Sequence, residues 1–355
     1  MQKYYTRVCN FYYGNTSKKL IKQKKTLPLN GNSEISFDHI EILSRNYKKK
    51  IHIKQINKLS KFIKNKINKD IKTIIKKNKN FCNFNFKNNP NIMGILNLTP
   101  DSFSDGGKFN KKKLSYEQAN FLFKQGANIV DIGGESTRPG SKRVSAIEQK
   151  RRILDVISQI RKELPSEIII SVDTMLSEVA IAAVDCGANM INDVSGGIYD
   201  PKIMNVAAEN NTFYCIMHMQ GTPEDMQDSP KYQDVIKEIT EFLDKQAKKA
   251  IELSIRKEKI IVDPGIGFGK LAEHNLEILK NLSDFSKLGY ITLLGASRKK
   301  IFSDISNVSA PNDRINGTCA TSALGVLAGI NIFRVHDVWQ NKQAIDIAFA
   351  IKNSR

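Results

Sequence analysis

The stretch MGILNLTPDSFSDGG, residues 93–107, runs apolar for four residues and then sets Asn97 where the next buried side chain belongs. Thr99, Asp101, Ser102, Ser104, Asp105 and two glycines follow, residues that favour turns through sterics and local hydrogen bonding. Turn chemistry explains the loop and leaves Asn97 over. Seven later runs end the same way: NIVDIGG (128–134), IIISVDT (168–174), NMINDVSGG (189–197), TFYCIMHM (212–219), IIVDPGIGF (260–268), ITLLGAS (291–297) and IFRVHDV (332–338). Each is a short β-rich run that closes on polar or permissive residues. Between them lie amphipathic segments such as SAIEQKRRILDVISQIRKEL, residues 145–164, where Ser145 and Glu148 have the spacing of a capping box. Strand and helix in alternation imply parallel pairing with helical crossovers. Eight such units after residue 90 match the (β/α)8 TIM barrel of the α/β class, which typically needs about 250 residues. GANIVDIGG (126–134) against GANMINDVSGG (187–197) gives a weak internal echo of one repeated unit. An open doubly wound sheet is the alternative, disfavoured by the strand count and by the lack of a Gly-rich first turn.

The charge of +19 over 355 residues suggests nucleic acid until it is mapped. Residues 1–90 hold 20 Lys and 2 Arg against Glu34, Asp38, Glu41 and Asp70, so this Lys/Asn-rich N-terminal extension carries +18 and residues 91–355 only +1. The barrel therefore has no electrostatic footprint for nucleic acid. Within the extension Ile56, Leu59, Ile63, Ile67, Ile71 and Ile74 recur at three- and four-residue steps, one face of an amphipathic helix. The extension is expected to be partly helical and to dock outside the main domain with its lysines solvated; its role is unassigned. Five cysteines, odd in number and without a CxxC pair, argue against a disulfide framework and for a reducing compartment. No run approaches the roughly 18 apolar residues of a membrane span. The start has no apolar core with a small-residue cleavage site, and although its first acidic residue is Glu34, as in an organelle transit peptide, it favours Lys, Tyr and Asn over Arg and Ser, so a cytoplasmic protein is expected.

In a barrel, strand C-termini converge on the rim where active sites are built. This accounts for Asn97: it faces the mouth. A single Asp after a strand is more often a helix cap, and Asp193 and Asp337 suit that role, but aligned polar ends in eight units exceed what caps require. The run DPGIGFGK, residues 263–270, fails as a Walker loop, because Pro264 and Leu271 stand where Gly and Ser or Thr are needed. What remains is a glycine-lined floor that lets a flat ligand approach the backbone. Asp173 and Asp263 are acceptors only, and with Asn192 they suit a polar heterocycle presenting N–H donors. Lys299, Arg334 and His336 suit an anion, and Asn97 offers a hard oxygen to a Mg2+ that shares phosphate oxygens.

Taken together, MGILNLTPDSFSDGG, DIGGESTRPG, SVDT, INDVSGG, MHMQGTP, DPGIGFGK, GASRK and RVHD, in that order, resemble the dihydropteroate synthases over nearly all of residues 91–355. The resemblance implies a folate-pathway transferase joining 6-hydroxymethyl-7,8-dihydropterin diphosphate to 4-aminobenzoate, with Mg2+ at Asn97 and a homodimer. It implies a pterin pocket of Asp173, Asn192, Asp263 and Lys299, with Met217 and Phe268 packed on the flat rings. Thr137, Arg334 and His336 would address the diphosphate; Arg138, Phe103, Pro139 and Ser297 would surround the aminobenzoate. A methyltetrahydrofolate-binding methyltransferase barrel is the nearest rival enzyme, and a non-catalytic pterin-binding protein the rival of another class. ESTRPG, SRK and RVHD favour the synthase.

Overall fold

The computed structural model describes residues 4–29, 31–44, 47–75, 90–99, 108–165 and 167–354. Eight parallel strands close into a barrel in chain order: β5 (Asn91–Asn97), β6 (Ile129–Gly133), β7 (Ile169–Asp173), β8 (Met190–Asp193), β9 (Phe213–Met217), β10 (Ile260–Asp263), β11 (Ile291–Leu294) and β12 (Ile332–Val335). These are the eight runs read from the sequence. They read as apolar runs because both faces are buried. Met93, Ile129, Ile169, Met190, Phe213, Cys215, Ile261, Ile291, Leu293 and Ile332 fill the interior. Residues of the opposite parity, such as Ile92, Val130, Ile170 and Ile191, pack outward on the helices.

The connecting helices include α4 (Ala146–Glu163) and α7 (Val235–Glu252). Ser145 caps α4 by accepting from the Glu148 backbone N–H at 3.3 Å. The return half of the expected capping box is replaced: the Glu148 carboxylate takes Arg151 and Arg152 at 2.6 and 2.7 Å, which holds its pKa down near 2. Asp234 caps α7 through the Lys237 N–H at 3.0 Å.

Residues 5–75 build more than a helix. Strand β1 (Tyr5–Tyr13), helix α1 (Gly14–Lys22), β2 (Leu27–Leu29), β3 (Asn32–Ser44), β4 (Tyr47–His52) and α2 (Lys61–Ile75) form an antiparallel sheet with two helices. The long β3 is central, pairing β1 along one edge and β2 then β4 along the other. Val8, Ile40, Ile42 and Ile51 share a core with Ile67, Ile71 and Ile74 of α2. The other sheet face turns to the barrel. There Arg7 reaches Asp284 of α9 (Ser283–Ser286) at 2.6 Å, and Leu29 and Ile35 approach Gly329. The Tyr13 hydroxyl donates to the Leu327 carbonyl at 2.9 Å, at the end of α11 (Ile315–Ala328). Two barrel lysines lie over tyrosine rings of β1: Lys287 on Tyr5 at 4.5 Å and Lys352, from α12 (Val338–Asn353), on Tyr13 at 5.5 Å.

Candidate active site

Side chains alternate along a strand, so the interior apolar layer dictates what faces the mouth. Two residues beyond Ile129 stands Asp131; beyond Met190, Asn192; beyond Cys215, Met217; beyond Ile261, Asp263; beyond Ile332, Arg334 and then His336. Asp173 and Asn97 hold the same parity on β7 and β5. The mouth is therefore the inward face of the barrel continued past its hydrophobic filling. Asp193, His218 and Asp337 have the opposite parity and do other work. Asp193 accepts from the Ser195 N–H and hydroxyl, the Gly197 N–H and the Tyr214 hydroxyl, all within 2.8 Å. Asp337 grips Arg298 through both carboxylate oxygens at 2.6 and 2.9 Å.

Arg334 centres the inward set. Its Nε donates to Asp131 Oδ2 and its Nη2 to Asp173 Oδ2, each at 2.7 Å. Asn192 donates to the same Asp131 oxygen at 3.1 Å, leaving its amide oxygen for a ligand. Burial holds the Asp173 carboxyl above its ordinary range against the pull of Arg334, with Asp131 adding to the push. Asp263 Oδ1 accepts from the Gly265 N–H at 2.7 Å; burial raises this carboxyl to about 6, opposed by that bond and by Lys299. Such shifted carboxylates in a cleft mark functional sites. Asn97 Oδ1 and Asp173 Oδ2 both lie within 4 Å of where a side chain on Gly133 would begin, so glycine there leaves room for one ligand to approach both oxygens.

Lys299 crosses the mouth with its ammonium 4.0 Å from the centre of the Phe268 ring. Burial, and Arg334 nearby, bring it down to about 8, while Asp263 and Asp173 oppose the fall. Phe268 and Met217 join Met175, Val194 and Met226 in one apolar patch at the mouth. His336 is pushed down to about 3 by burial and by Arg334, Arg298, Arg138 and Lys299, so it is neutral at pH 7. Its backbone N–H donates to Ser297 Oγ at 3.1 Å, and the same oxygen lies 2.9 Å from Nδ1. The serine proton is then free to point at Nδ1, which leaves Nε2–H as the donor available to an anion.

The expected site residues on strand ends thus meet: Asn97, Asp173, Asn192, Met217, Asp263, Phe268, Ser297, Lys299, Arg334 and His336. Thr137, Arg138 and Pro139 sit on the loop between β6 and α4, half-buried or exposed. Arg138 is near enough to act on His336, and the loop is tied across the mouth by the Gly140 N–H to the Pro223 carbonyl at 2.9 Å. Phe103 lies outside the described residues. Arg334 differs from its expected role as a free anion contact, because two of its nitrogens are committed to carboxylates. Asp131 and Lys270 belong to the surroundings of the site and are not among the residues chosen from sequence. Parity would have found the first, since Asp131 continues the Ile129 row.

The model of the family described as pterin binding enzyme matches residues 93–336. The chain belongs to the pterin binding enzymes. A dihydropteroate synthase of Synechocystis is 43% identical over 260 residues, 73% of this chain and 89% of the relative. Among solved structures, a dihydropteroate synthase of Clostridium difficile crystallised with pteroic acid matches at TM-score 0.71 and 42% identity, covering 76% of this chain and 98% of that one. The Xanthomonas albilineans enzyme with 4-aminobenzoic acid matches at 0.70 and 36%, covering 75% and 94%. In this pterin binding enzyme the family match begins inside β5, and the sheet of residues 5–75 stands before it.

Proposed function

We propose that the protein is a dihydropteroate synthase, condensing 6-hydroxymethyl-7,8-dihydropterin diphosphate with 4-aminobenzoate to give 7,8-dihydropteroate and diphosphate. One observation carries the reading. A single inward-facing ring sets acceptors for a flat N–H-rich ring (Asp173, Asn192, Asp263) beside cations suited to its anionic tail. The pteroic acid and 4-aminobenzoic acid present in the related crystal structures are the ligands this arrangement would take.

In the reaction the methylene C–O bond breaks with its electron pair leaving on the diphosphate. The arylamine nitrogen then forms the C–N bond and gives up a proton. Lys299, Arg138 and the Nε2–H of His336 would receive the developing charge on the leaving group. Asp173 and Asp263 would steady the electron-poor pterin, and Met217 and Phe268 would exclude water from its faces. Preorganised charge of this kind is usually the largest contribution to rate. Asn97 is the residue that would hold Mg2+. Among the described residues no three His, Cys, Asp or Glu side chains form a metal cage, and one amide oxygen suits an ion that keeps waters and shares diphosphate oxygens. Bound there, the ion would supply charge neutralisation to the leaving group.

A homodimer and a cytoplasmic location complete the proposal. Leu324 and Leu327 on α11 and Ile347 and Ile351 on α12 are exposed at helical spacing, an apolar surface suited to a two-fold contact. No described helix is long and apolar enough to cross a membrane, and Cys9, Cys186, Cys215 and Cys319 are free thiols. The decisive experiment is diphosphate release by the purified chain with both substrates, with each alone, and with and without Mg2+. Release that needs both substrates supports the synthase, and release from the pterin substrate alone, or none, refutes it.

A further inference from the structure

Lys270 ends the DPGIGFGK run and is 3% exposed, yet no step described above uses it. Its Nζ lies 2.9 Å from the Phe268 carbonyl, 3.2 Å from the His218 carbonyl and 3.0 Å from His218 Nδ1. An ammonium has three protons, and here it meets three acceptors. This requires His218 to carry its own proton on Nε2. Burial pushes the imidazole well below its ordinary value, with Lys270 adding to the effect. The lysine is itself drawn down to about 7 by burial, with Asp263 opposing. An unpaired buried ammonium is costly, so the three bonds are what let it stay.

The two carbonyls are not arbitrary. His218 directly follows Met217, and Phe268 carries the ring under the Lys299 ammonium. The loop passes so close to the β9 exit that a Cβ on Gly265 would lie 2.0 Å from the His218 carbonyl, and one on Gly269 would lie 2.3 Å from that of Gln220. Both glycines have positive φ, 70° and 59°, open to glycine at little steric cost. Asn275 supports the arrangement, accepting from the Gly267 N–H at 2.7 Å and donating to the Leu271 carbonyl at 2.8 Å.

We propose that Lys270 is a positioning residue for the pterin slot: its ammonium draws the Met217–His218 strand end and the Phe268 backbone together, fixing the gap between the two apolar walls and the seat of Lys299. The proposal rests on the synthase reading for its substrate, while its geometric part is testable without any ligand. Two variants of the full-length chain serve. Lys270→Met keeps length and removes charge; Lys270→Arg keeps charge but replaces the tetrahedral donor with a planar one.

In Lys270→Met the KM for the pterin diphosphate rises about tenfold, the worth of one weakened charged hydrogen bond. The KM for 4-aminobenzoate stays within about twofold, and Lys270→Arg falls between this variant and the parent. Amide exchange of the ligand-free chain accelerates about tenfold in residues 264–271 and 217–220 and nowhere else in the barrel. The 15N spectrum of His218 loses its single Nε2–H tautomer. An unchanged pterin KM in a folded variant, an equal rise for both substrates, or unaltered exchange in the two segments overturns the proposal. Should Lys270→Met not fold, Lys270→Arg is judged on the same readings. If the parent chain turns over no pterin substrate, the synthase reading fails and the exchange and tautomer readings still decide the role of Lys270.

Discussion

The sheet of residues 5–75 and the barrel after it solve the burial of strands in opposite ways. In the barrel every strand is parallel and covered on both faces, so its sequence is a mainly apolar run that ends on polar residues at the mouth. In the N-terminal sheet the strands are antiparallel, one face meeting α2 and the other meeting the barrel. The charges that the barrel strands turn inward are gathered at one rim. In the joint between the two units the barrel's Asp284 is wholly buried and is met by Arg7 of the smaller unit. Charge placed at a mouth serves turnover, whereas charge placed in a seam serves attachment, and substitutions should separate the two.

The largest effect is expected at the mouth. Asp173→Ala and Lys299→Ala should each lose on the order of 100- to 1000-fold in turnover, by analogy with removal of one oxyanion-hole donor, while the far-ultraviolet circular dichroism stays as in the parent. Wild-type rates in either would refute the site. Next comes the seam. Arg7→Ala leaves the buried Asp284 carboxylate with Lys287, 3.8 Å away, as its remaining cation and should lower stability by about 2 kcal/mol, read by urea unfolding, with turnover per folded molecule unchanged. Replacing Asp284 as well would strand the buried Lys287 ammonium, so the double variant should recover little of that loss. A fall in turnover with Arg7→Ala, without unfolding, would break the division between mouth and seam.

Titration should then act on the mouth. Asp263 must be ionised to accept pterin N–H groups, so kcat/KM falls as pH drops below about 6. Lys299 must stay charged, so activity falls again above about 8, a bell with roughly tenfold loss per unit on each limb. Lys299→Ala should abolish the alkaline limb and leave the acid limb. The smallest effect belongs to the exposed lysines of β4. Lys48→Ala, Lys49→Ala and Lys50→Ala should each change stability by less than about 0.5 kcal/mol and leave turnover unaltered, as solvated side chains do. A large loss at any one of them would mean that this basic edge has a partner.

The contrast also explains what the sequence disclosed. Eight apolar runs with polar tips are a strong signal because burial on both faces leaves no alternation to confuse, and the mouth residues follow from parity along each strand. By residue type alone Asp131 is not separable from a helix cap, and Lys270 follows a glycine-lined floor with no period from which its burial could be read. The N-terminal strands were hidden for another reason. In β3 the buried apolar residues are Ile35 and Phe37, then Ile40, Ile42 and Leu43, with Ser36 and Asp38 buried between, so the alternation slips phase at Asp38–His39 and no period-2 pattern runs the length of the strand. Only α2 showed its period, and the helix is shorter than that period implies: Ile56 lies in a separate 3-10 turn, Ile53–Lys58, and Leu59 is extended before α2 begins at Lys61. One cue was available: Asn30-Gly31, a dipeptide that favours tight hairpins, stands between Leu29 and Asn32, and Gly31 has φ of 66°.

The joint between the two units has a consequence for how the molecule is made. Arg7 waits for a residue 277 positions later and Tyr13 for one 314 positions later, so β1 leaves the ribosome long before the barrel partners that complete its contacts. Until α12 has emerged, the docking face of the small sheet stays open in the growing chain. Slow synthesis should therefore leave that face exposed longest, and with it the risk of pairing with a neighbouring nascent copy.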